Sequence, residues 1–153
     1  MTAAHDFAAF VGIDRSDQHL DICLQAAGEQ EVHQTRIASS PEAVQQWLHR
    51  LRERFPGASF AACLEQPAVA LMHFFVHCED VVLYAVNPLS LARYRQAFVT
   101  SRAKSDLGDA TFLLDLVRDH RHRLTPWHPV TQQPELSPCS ARADAKRWIC
   151  API

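Results

Sequence analysis

The sequence lacks long apolar runs and an excess of basic residues, and these absences exclude several large classes of protein. No uninterrupted apolar run in the 153 residues approaches the roughly 18 that suggest a membrane span. Residues 1–10 lack a basic start of the kind that precedes a secretory signal. The formal charge of −2 gives no whole-chain attraction to nucleic acid. We therefore expect a cytoplasmic chain without membrane contact, in which any contact with DNA or RNA uses a local basic patch.

Paired cysteines are also lacking. The chain has five cysteines, an odd number, and no CxxC pair. This pattern fits reduced thiols better than a disulfide framework or a zinc cluster. We expect most of them to be small buried side chains: Cys23, Cys63, Cys78, Cys139 and Cys150.

The first third of the chain has the pattern of consecutive strands. Residues 7–13 form a nearly continuous apolar run that ends at Asp14, as in a buried strand. Residues 20–26 then alternate between apolar and polar side chains, and a turn at residues 27–29 can lead into a third strand through Ile37. Short connections between three successive strands predict an antiparallel meander.

Helical spacing begins after these strands. Ser40 is predicted to be an N-cap with Pro41 at the first helical position. Apolar side chains at helical intervals follow, and Pro56 ends the pattern: Val44, Trp47, Leu48, Leu51 and Phe55. Residues 60–64 and 81–86 are short apolar runs on either side of residues 68–78, which can form a crossover helix between parallel strands. With a helix near Asp106, the predicted order is β-β-β-α-β-α-β-α, an α/β fold with a mixed sheet.

The end of the chain has a different composition. Five of the nine prolines lie beyond residue 123: Pro126, Pro129, Pro134, Pro138 and Pro152. Hydrophobic periodicity is lost there as well. We therefore predict one catalytic domain over residues 1–127 and an irregular tail over residues 128–153.

Four acidic residues are candidates for a metal site. Asp14 and Glu65 each stand where an apolar strand ends, although either one could simply be a polar residue that opens a loop. At about 100° per residue, a helix starting near Asp106 turns both Asp106 and Asp109 toward the core. Asp115 and Asp119 are expected on the solvated face of that helix. Crowded carboxylates repel one another, and hard oxygen ligands suit Mg²⁺ or Mn²⁺.

A zinc site is an alternative. His73 and His77 have the i, i+4 spacing that can hold zinc on one helix face, with Cys78 beside them. No HExxH pattern surrounds them, so ordinary histidines on a helix surface are the simpler interpretation.

Four short motifs together resemble a known family. They are Val11-Gly12-Ile13-Asp14, Leu64-Glu65, Val86-Asn87-Pro88 and the run from Ser101 through Lys104, Asp106 and Asp109 to Ala110. Over roughly residues 7–127 the chain resembles the DEDD transposases of the insertion-sequence one-ten family.

The resemblance implies a ribonuclease-H-like fold of the RuvC-like variant and site-specific DNA recombination guided by a structured RNA. It also implies that Asp14, Glu65, Asp106 and Asp109 are the catalytic metal ligands. Family members continue into a helical domain that carries a serine nucleophile, and we expect this chain to end where that domain begins, with a tail that is truncated, frame-shifted or diverged. DNA, the guide RNA and further copies of the chain are the expected partners.

A basic stretch precedes the last two of these aspartates. Residues 87–105 contain no acidic residue. Their cations could hold a nucleic-acid backbone without reading bases, or could simply form a solvated helix face: Arg93, Arg95, Arg102 and Lys104.

Two rival functions remain open. Residues 12–16 resemble the first phosphate loop of actin-like nucleotide-binding proteins, but those proteins use further glycine-rich loops and this chain has only four glycines. The other rival is a non-catalytic fragment that binds a partner chain or RNA.

Overall fold

The computed structural model describes residues 6–98 and 108–128, and its first three elements are strands. They are β1 (Ala9–Arg15), β2 (His19–Ala26) and β3 (His33–Ala38). Neighbours in this set pair antiparallel, with Gly12 opposite Cys23 and Ile22 opposite Thr35. The expected antiparallel meander is confirmed.

Helices and strands alternate after the meander. The elements are α1 (Pro41–Arg54), β4 (Phe60–Glu65), α2 (Val69–Val76), β5 (Val81–Val86), α3 (Pro88–Phe98) and α4 (Asp109–Asp119), followed by a 3-10 turn at Arg121–Arg123. The sequence pattern predicted one helix after β5, whereas the described residues contain two, α3 and α4.

One sheet contains all five of these strands, in the order β3-β2-β1-β4-β5. β4 pairs parallel with both β1 and β5, because α1 and α2 carry the chain back to the same end of the sheet before each new strand. The predicted α/β fold with a mixed sheet is therefore confirmed.

Helix α1 begins and ends where its sequence indicates. The Ser40 hydroxyl accepts a hydrogen bond from the backbone N–H of Ala43, and Pro41 occupies the first turn. The buried face of α1 consists of Pro41, Val44, Trp47, Leu48 and Leu51. All of these except Pro41 pack on one face of the sheet together with α2, which contributes Leu71, Met72 and Phe75.

The opposite face of the sheet is covered by α3 and α4. Leu91 of α3 and Leu113, Leu116 and Val117 of α4 pack there with Ala61 and Cys63 of β4. Side chains alternate between the two faces along a strand, so Val11 and Ile13 face α1 and α2 while Phe10 faces α4. The face that carries α4 also carries the candidate site.

The chain beyond α4 closes one edge of the sheet. Pro126 forms an isolated bridge with Tyr84, and the backbone N–H of Trp127 donates to the carbonyl of Leu83 at 2.7 Å. The Trp127 ring packs edge-on to His73. Residues up to Trp127 therefore take part in the fold.

Three of the cysteines lie in the described part of the chain. Cys23 and Cys63 are buried and Cys78 is partly buried, and all three are free thiols. Burial raises the pKa of the Cys63 thiol to about 12, so this side chain remains protonated and apolar in character at neutral pH. Cys23 and Cys63 are thus buried as predicted, while Cys139 and Cys150 lie outside the described residues.

Within residues 6–98 and 108–128, none of the helices has the length and apolar character needed to cross a bilayer.

Candidate metal centre

Two of the predicted acidic residues meet because of the register of two parallel strands. Ile13 of β1 is paired with Leu64 of β4, so the next residues, Asp14 and Glu65, lie side by side at the carboxyl ends of these strands. Alternation along each strand turns both carboxylates to the face that α4 covers, since Ile13 and Leu64 face the other side.

The third acidic residue comes from the beginning of α4. Gly108 is the N-cap and Asp109 is the first helical residue. α4 lies directly on β1, where Gly12 has no side chain to hold it away. This packing brings Asp109 over the end of β1, beside Asp14.

The carboxylate oxygens of Asp14, Glu65 and Asp109 form one cluster. One oxygen from each lies within 4.8 Å of the others, and all three side chains are half-buried. Oxygen donors at this spacing, in this number and with this charge, fit Mg²⁺ or Mn²⁺. We call these three residues the acidic cluster.

Burial and the crowding of negative charge at the acidic cluster both affect the pKa of Asp14. Burial, followed by the nearby charges of Asp109, Asp21 and Glu65, raises the pKa of Asp14 from 3.8 to about 6. The guanidinium of Arg95 acts in the opposite direction and lowers this pKa. A bound divalent cation would offset the same repulsion.

Asp21 is a further acidic residue beside the cluster, and it was not among the site residues predicted from the sequence. It lies directly opposite Asp14 in the antiparallel pair of β1 and β2. Arg36 of β3 binds it through two hydrogen bonds of 2.6 and 3.0 Å, which hold the pKa of Asp21 below its ordinary value. The alternation of β2 placed Asp21 among the polar positions, but its position opposite Asp14 depends on strand register.

Arg95 of α3 reaches the acidic cluster. Its Nη2 lies 2.6 Å from the Oδ2 of Asp109, and both side chains are 35% exposed. Arg95, which was predicted to contact a phosphate, thus forms an ion pair with Asp109 of the acidic cluster. Arg93, on the same helix, is exposed.

An open pocket adjoins the acidic cluster. It has a volume of about 210 Å³ and runs between the turn that follows β1 and the segment that follows β4. Its lining consists of Asp14, Arg15, Ser16, Asp17, Glu65, Gln66, Pro67 and Ala68. Two of the three clustered carboxylates are therefore accessible to a ligand from solvent.

Three predicted residues lie outside the described part of the chain: Asp106, Arg102 and Lys104. α4 begins at Asp109 instead of near Asp106, so the helical angles assumed for Asp106 do not follow from the observed helix.

The prediction that Asp115 lies on a solvated helix face was wrong. Asp115 is half-buried, and burial raises its pKa. The reason is that Arg118 folds back over it, donating to Asp115 at 2.9 Å and to Gln25 of β2 at 2.6 Å. Asp119 is exposed, as predicted.

The two alternative ligand sites gain no support from the geometry. Among the residues that the structure describes, His73, His77 and Cys78 do not form a metal-binding group; His73 instead packs edge-on to Trp127, and Cys78 donates to the carbonyl of Phe74. Gly12, which a nucleotide-binding protein would use in a phosphate loop, faces the backbone of α4.

Fold and site together define an α/β domain with an acidic centre that can hold a divalent ion. A family model described as a transposase, the DEDD transposase family of the IS110 type, matches residues 11–144. The chain belongs to this family. The match continues beyond Trp127, where the resemblance noted in the sequence was expected to end.

The chain is also similar in sequence to a protein of Streptomyces coelicolor. This protein, named as a mini-circle transposase for IS117, is 30% identical over 122 residues, which cover 76% of the chain. The aligned residues span 29% of the relative's length.

Proposed function

We propose that this chain is the metal-dependent catalytic domain of a DNA transposase that acts on phosphodiester bonds. The observation that carries the proposal is the acidic cluster, in which carboxylate oxygens from β1, β4 and α4 lie within 4.8 Å of one another. Membership of a transposase family supplies the substrate class, DNA.

Each member of the cluster has a defined part in this function. Asp14 and Glu65 hold two fixed donor oxygens at the end of the sheet, and Asp109 closes the site from α4. When bound there, a divalent cation would polarise a phosphoryl oxygen and offset the charge that develops on attacking and leaving oxygens. Asp106 is proposed as a fourth ligand on the basis of the motif that it shares with the family.

Further properties belong to the same proposal. We infer a RuvC-like variant of the ribonuclease H fold because three antiparallel strands precede parallel strands and because an acidic residue lies at the carboxyl end of both β1 and β4. Residues 1–127 would form this domain and residues 128–153 an additional segment. A structured guide RNA, assembly with further copies of the chain, and a cytoplasmic location complete the proposal.

The basic stretch is proposed as the surface that holds the nucleic-acid backbone. Arg93 is exposed on α3, which neighbours α4. Arg102 and Lys104 lie in the segment between these helices, close in sequence to Asp109. Cations in this position would bind phosphates whatever the base sequence.

Metal binding can be tested without knowledge of the DNA target. A ligand that binds only the folded state adds RT ln(1 + [L]/Kd) to stability, which is about 1.4 kcal/mol at ten times Kd and corresponds to a few degrees in melting temperature. We expect Mn²⁺ to produce this rise in the wild type, and Asp14→Asn or Asp109→Asn to reduce it.

Asp119→Asn is the control, because Asp119 lies on the same helix as Asp109 but is exposed at its far end. The control should keep the wild-type response. An equal rise in melting temperature for wild type and Asp109→Asn would show that Mn²⁺ does not bind at the acidic cluster.

Phosphate contact is tested by the salt dependence of DNA affinity. Arg102→Ala with Lys104→Ala should weaken binding to unrelated duplexes alike and reduce the slope of log affinity against log salt by about 0.9 for each lost contact. Arg54→Ala removes an exposed cation from α1, on the other face of the sheet, and should leave the slope unchanged. An unchanged slope in the double variant would reduce the basic stretch to a solvated surface.

A further inference from the structure

Arg95 makes an incomplete ion pair with the acidic cluster. Its Nη2 lies 2.6 Å from the Oδ2 of Asp109. Its Nε is buried and has no hydrogen-bond partner among the residues that the structure describes. A buried N–H without an acceptor is unfavourable, so this arrangement leaves the guanidinium only partly satisfied.

Two other arginine–aspartate pairs in the chain show what a complete pair looks like. Arg52 binds Asp80 through Nε and Nη2, both at 2.6 Å. Arg36 binds Asp21 through the same two nitrogens, at 2.6 and 3.0 Å. Both are two-point contacts that use the Nε and Nη2 of the planar guanidinium, whereas the Nε of Arg95 has no partner among the described residues.

Arg95 also places a positive charge beside the three carboxylates of the acidic cluster. Three carboxylates face one another in the acidic cluster, and the positive charge of Arg95 offsets part of their repulsion. A divalent cation placed between the same oxygens would do this more strongly and would repel the guanidinium. The two cations would therefore compete for Asp109.

We propose that Arg95 is a displaceable counter-cation, which holds Asp109 while the site is free of metal and leaves it when a divalent ion binds. On this basis the contact of Arg95 with Asp109 opposes metal binding. The inference rests on the proposed function, since it requires the acidic cluster to be a metal site.

The test is a titration of the full chain with Mn²⁺ alone, followed by the electron paramagnetic resonance signal of the free ion. Arg95→Ala removes the competing charge, so we expect it to bind Mn²⁺ roughly tenfold more tightly than the wild type. Arg95→Lys keeps the charge and should bind within about twofold of the wild type. Arg93→Ala, which removes an exposed cation of the same helix, is the matched control and should also stay close to the wild type.

A structural role for Arg95 predicts the opposite result. If Arg95 served only to hold Asp109 in a metal-binding position, Arg95→Ala would bind Mn²⁺ more weakly, and this outcome or an unchanged affinity would overturn the inference. Absence of Mn²⁺ binding by the wild type would instead overturn the proposed function itself. The two failures are thus distinguishable.

A second measurement uses the unmodified chain, so it does not depend on the folding of a variant. In the metal-free protein the buried Nε–H of Arg95 should give a proton resonance that exchanges slowly with water. Saturation with Mg²⁺ should shift this resonance and speed its exchange as the side chain leaves Asp109. A resonance that is unaffected by Mg²⁺ would also overturn the inference.

Discussion

Gly12 of β1 lies directly beneath Ala110 of α4. A Cβ at position 12 would be 2.1 Å from the Ala110 carbonyl oxygen and 2.4 Å from the backbone nitrogen of Leu114. Both are backbone atoms, which cannot rotate away as a flexible side chain would. The distance between helix and strand at this point, and with it the position of Asp109, therefore depends on the absence of a side chain at position 12.

Gly12→Ala should destabilise the fold because α4 must move away from the sheet. We expect the free energy of unfolding to fall by about 3 kcal/mol, at the upper end of the cost of overpacking a core. Urea denaturation measures this change, and the rise in melting temperature with Mn²⁺ should shrink as Asp109 is displaced.

Gly108→Ala provides the comparison for Gly12→Ala. A Cβ at position 108 would meet nothing within 4 Å, so only the smaller preference for glycine at a helix N-cap is lost, about 1 kcal/mol or less. Equal losses in the two variants would contradict the proposed role of Gly12.

The protonation of Asp14 predicts how stability of the metal-free chain depends on pH. Its folded-state pKa of about 6 lies above its ordinary value of 3.8, so the folded chain binds this proton more tightly than the unfolded chain. The stability contributed in this way is fully present below the unfolded pKa and is lost as pH rises through about 6. Asp14→Asn should remove this part of the profile, measured by urea denaturation in a chelator.

Asp119→Asn should alter the same profile in the opposite sense. A hydrogen bond from Arg118 lowers the pKa of Asp119, so its contribution is present above the unfolded pKa and disappears as pH falls through the folded value. If Asp14→Asn left the dependence of unfolding free energy on pH unchanged, Asp14 would not titrate between its ordinary pKa and about 6.

The paired contact of Arg52 with Asp80 should contribute to stability. It connects α1 to the residue before β5, and it lowers the pKa of Asp80. Because Arg52 is about half exposed, we expect Arg52→Ala to reduce the free energy of unfolding by about 1 kcal/mol. The contribution should vanish as pH falls through the lowered pKa of Asp80.

A double-mutant cycle separates this pair from its surroundings. Arg52→Ala and Asp80→Asn should together cost less than the sum of the single changes, since both remove the same contact. Fully additive losses would mean that the pair contributes nothing.

Trp127 should mark the end of the segment that stabilises the domain. Its backbone N–H donates to the carbonyl of Leu83, and its ring packs edge-on to His73 with centroids 5.7 Å apart. We expect Trp127→Ala to lower the melting temperature by about 5 °C, because a partly buried aromatic side chain is removed. Deletion of residues 129–153 should change it by no more than a few degrees.

The deletion of residues 129–153 tests the domain boundary directly. A large loss of melting temperature on removal of residues 129–153 would place a stabilising segment there. The proposed boundary at residue 127 would then be wrong.

Much of the fold could be predicted from short-range patterns in the sequence. Alternation of side chains identified β2, helical spacing identified the buried face of α1, and apolar runs identified β4 and β5. Asp14 and Glu65 were recognisable because each follows an apolar run in the sequence. These patterns are local, since the geometry of a strand or helix repeats over two to four residues.

The tertiary structure determines which acidic residues come together in the site. The pairing of Ile13 with Leu64 makes Asp14 and Glu65 neighbours, and the pairing of β1 with β2 sets Asp21 opposite Asp14. Such registers depend on residues far apart in the chain, and a shift of one residue would turn each carboxylate to the other face of the sheet.

The same reason accounts for the predictions that the sequence could not make or made wrongly. Asp115 has the spacing of a solvated position, but Arg118, which also binds Gln25 of a distant strand, donates a hydrogen bond to it. Arg95 belongs to a basic stretch, yet its contact is Asp109, because α3 and α4 pack side by side. The sequence by itself determined which residues form strands and helices and which carry the charge. Packing between distant segments decided which of those charges meet, because contact distances are set by the three-dimensional fit of backbones such as Gly12 against Ala110.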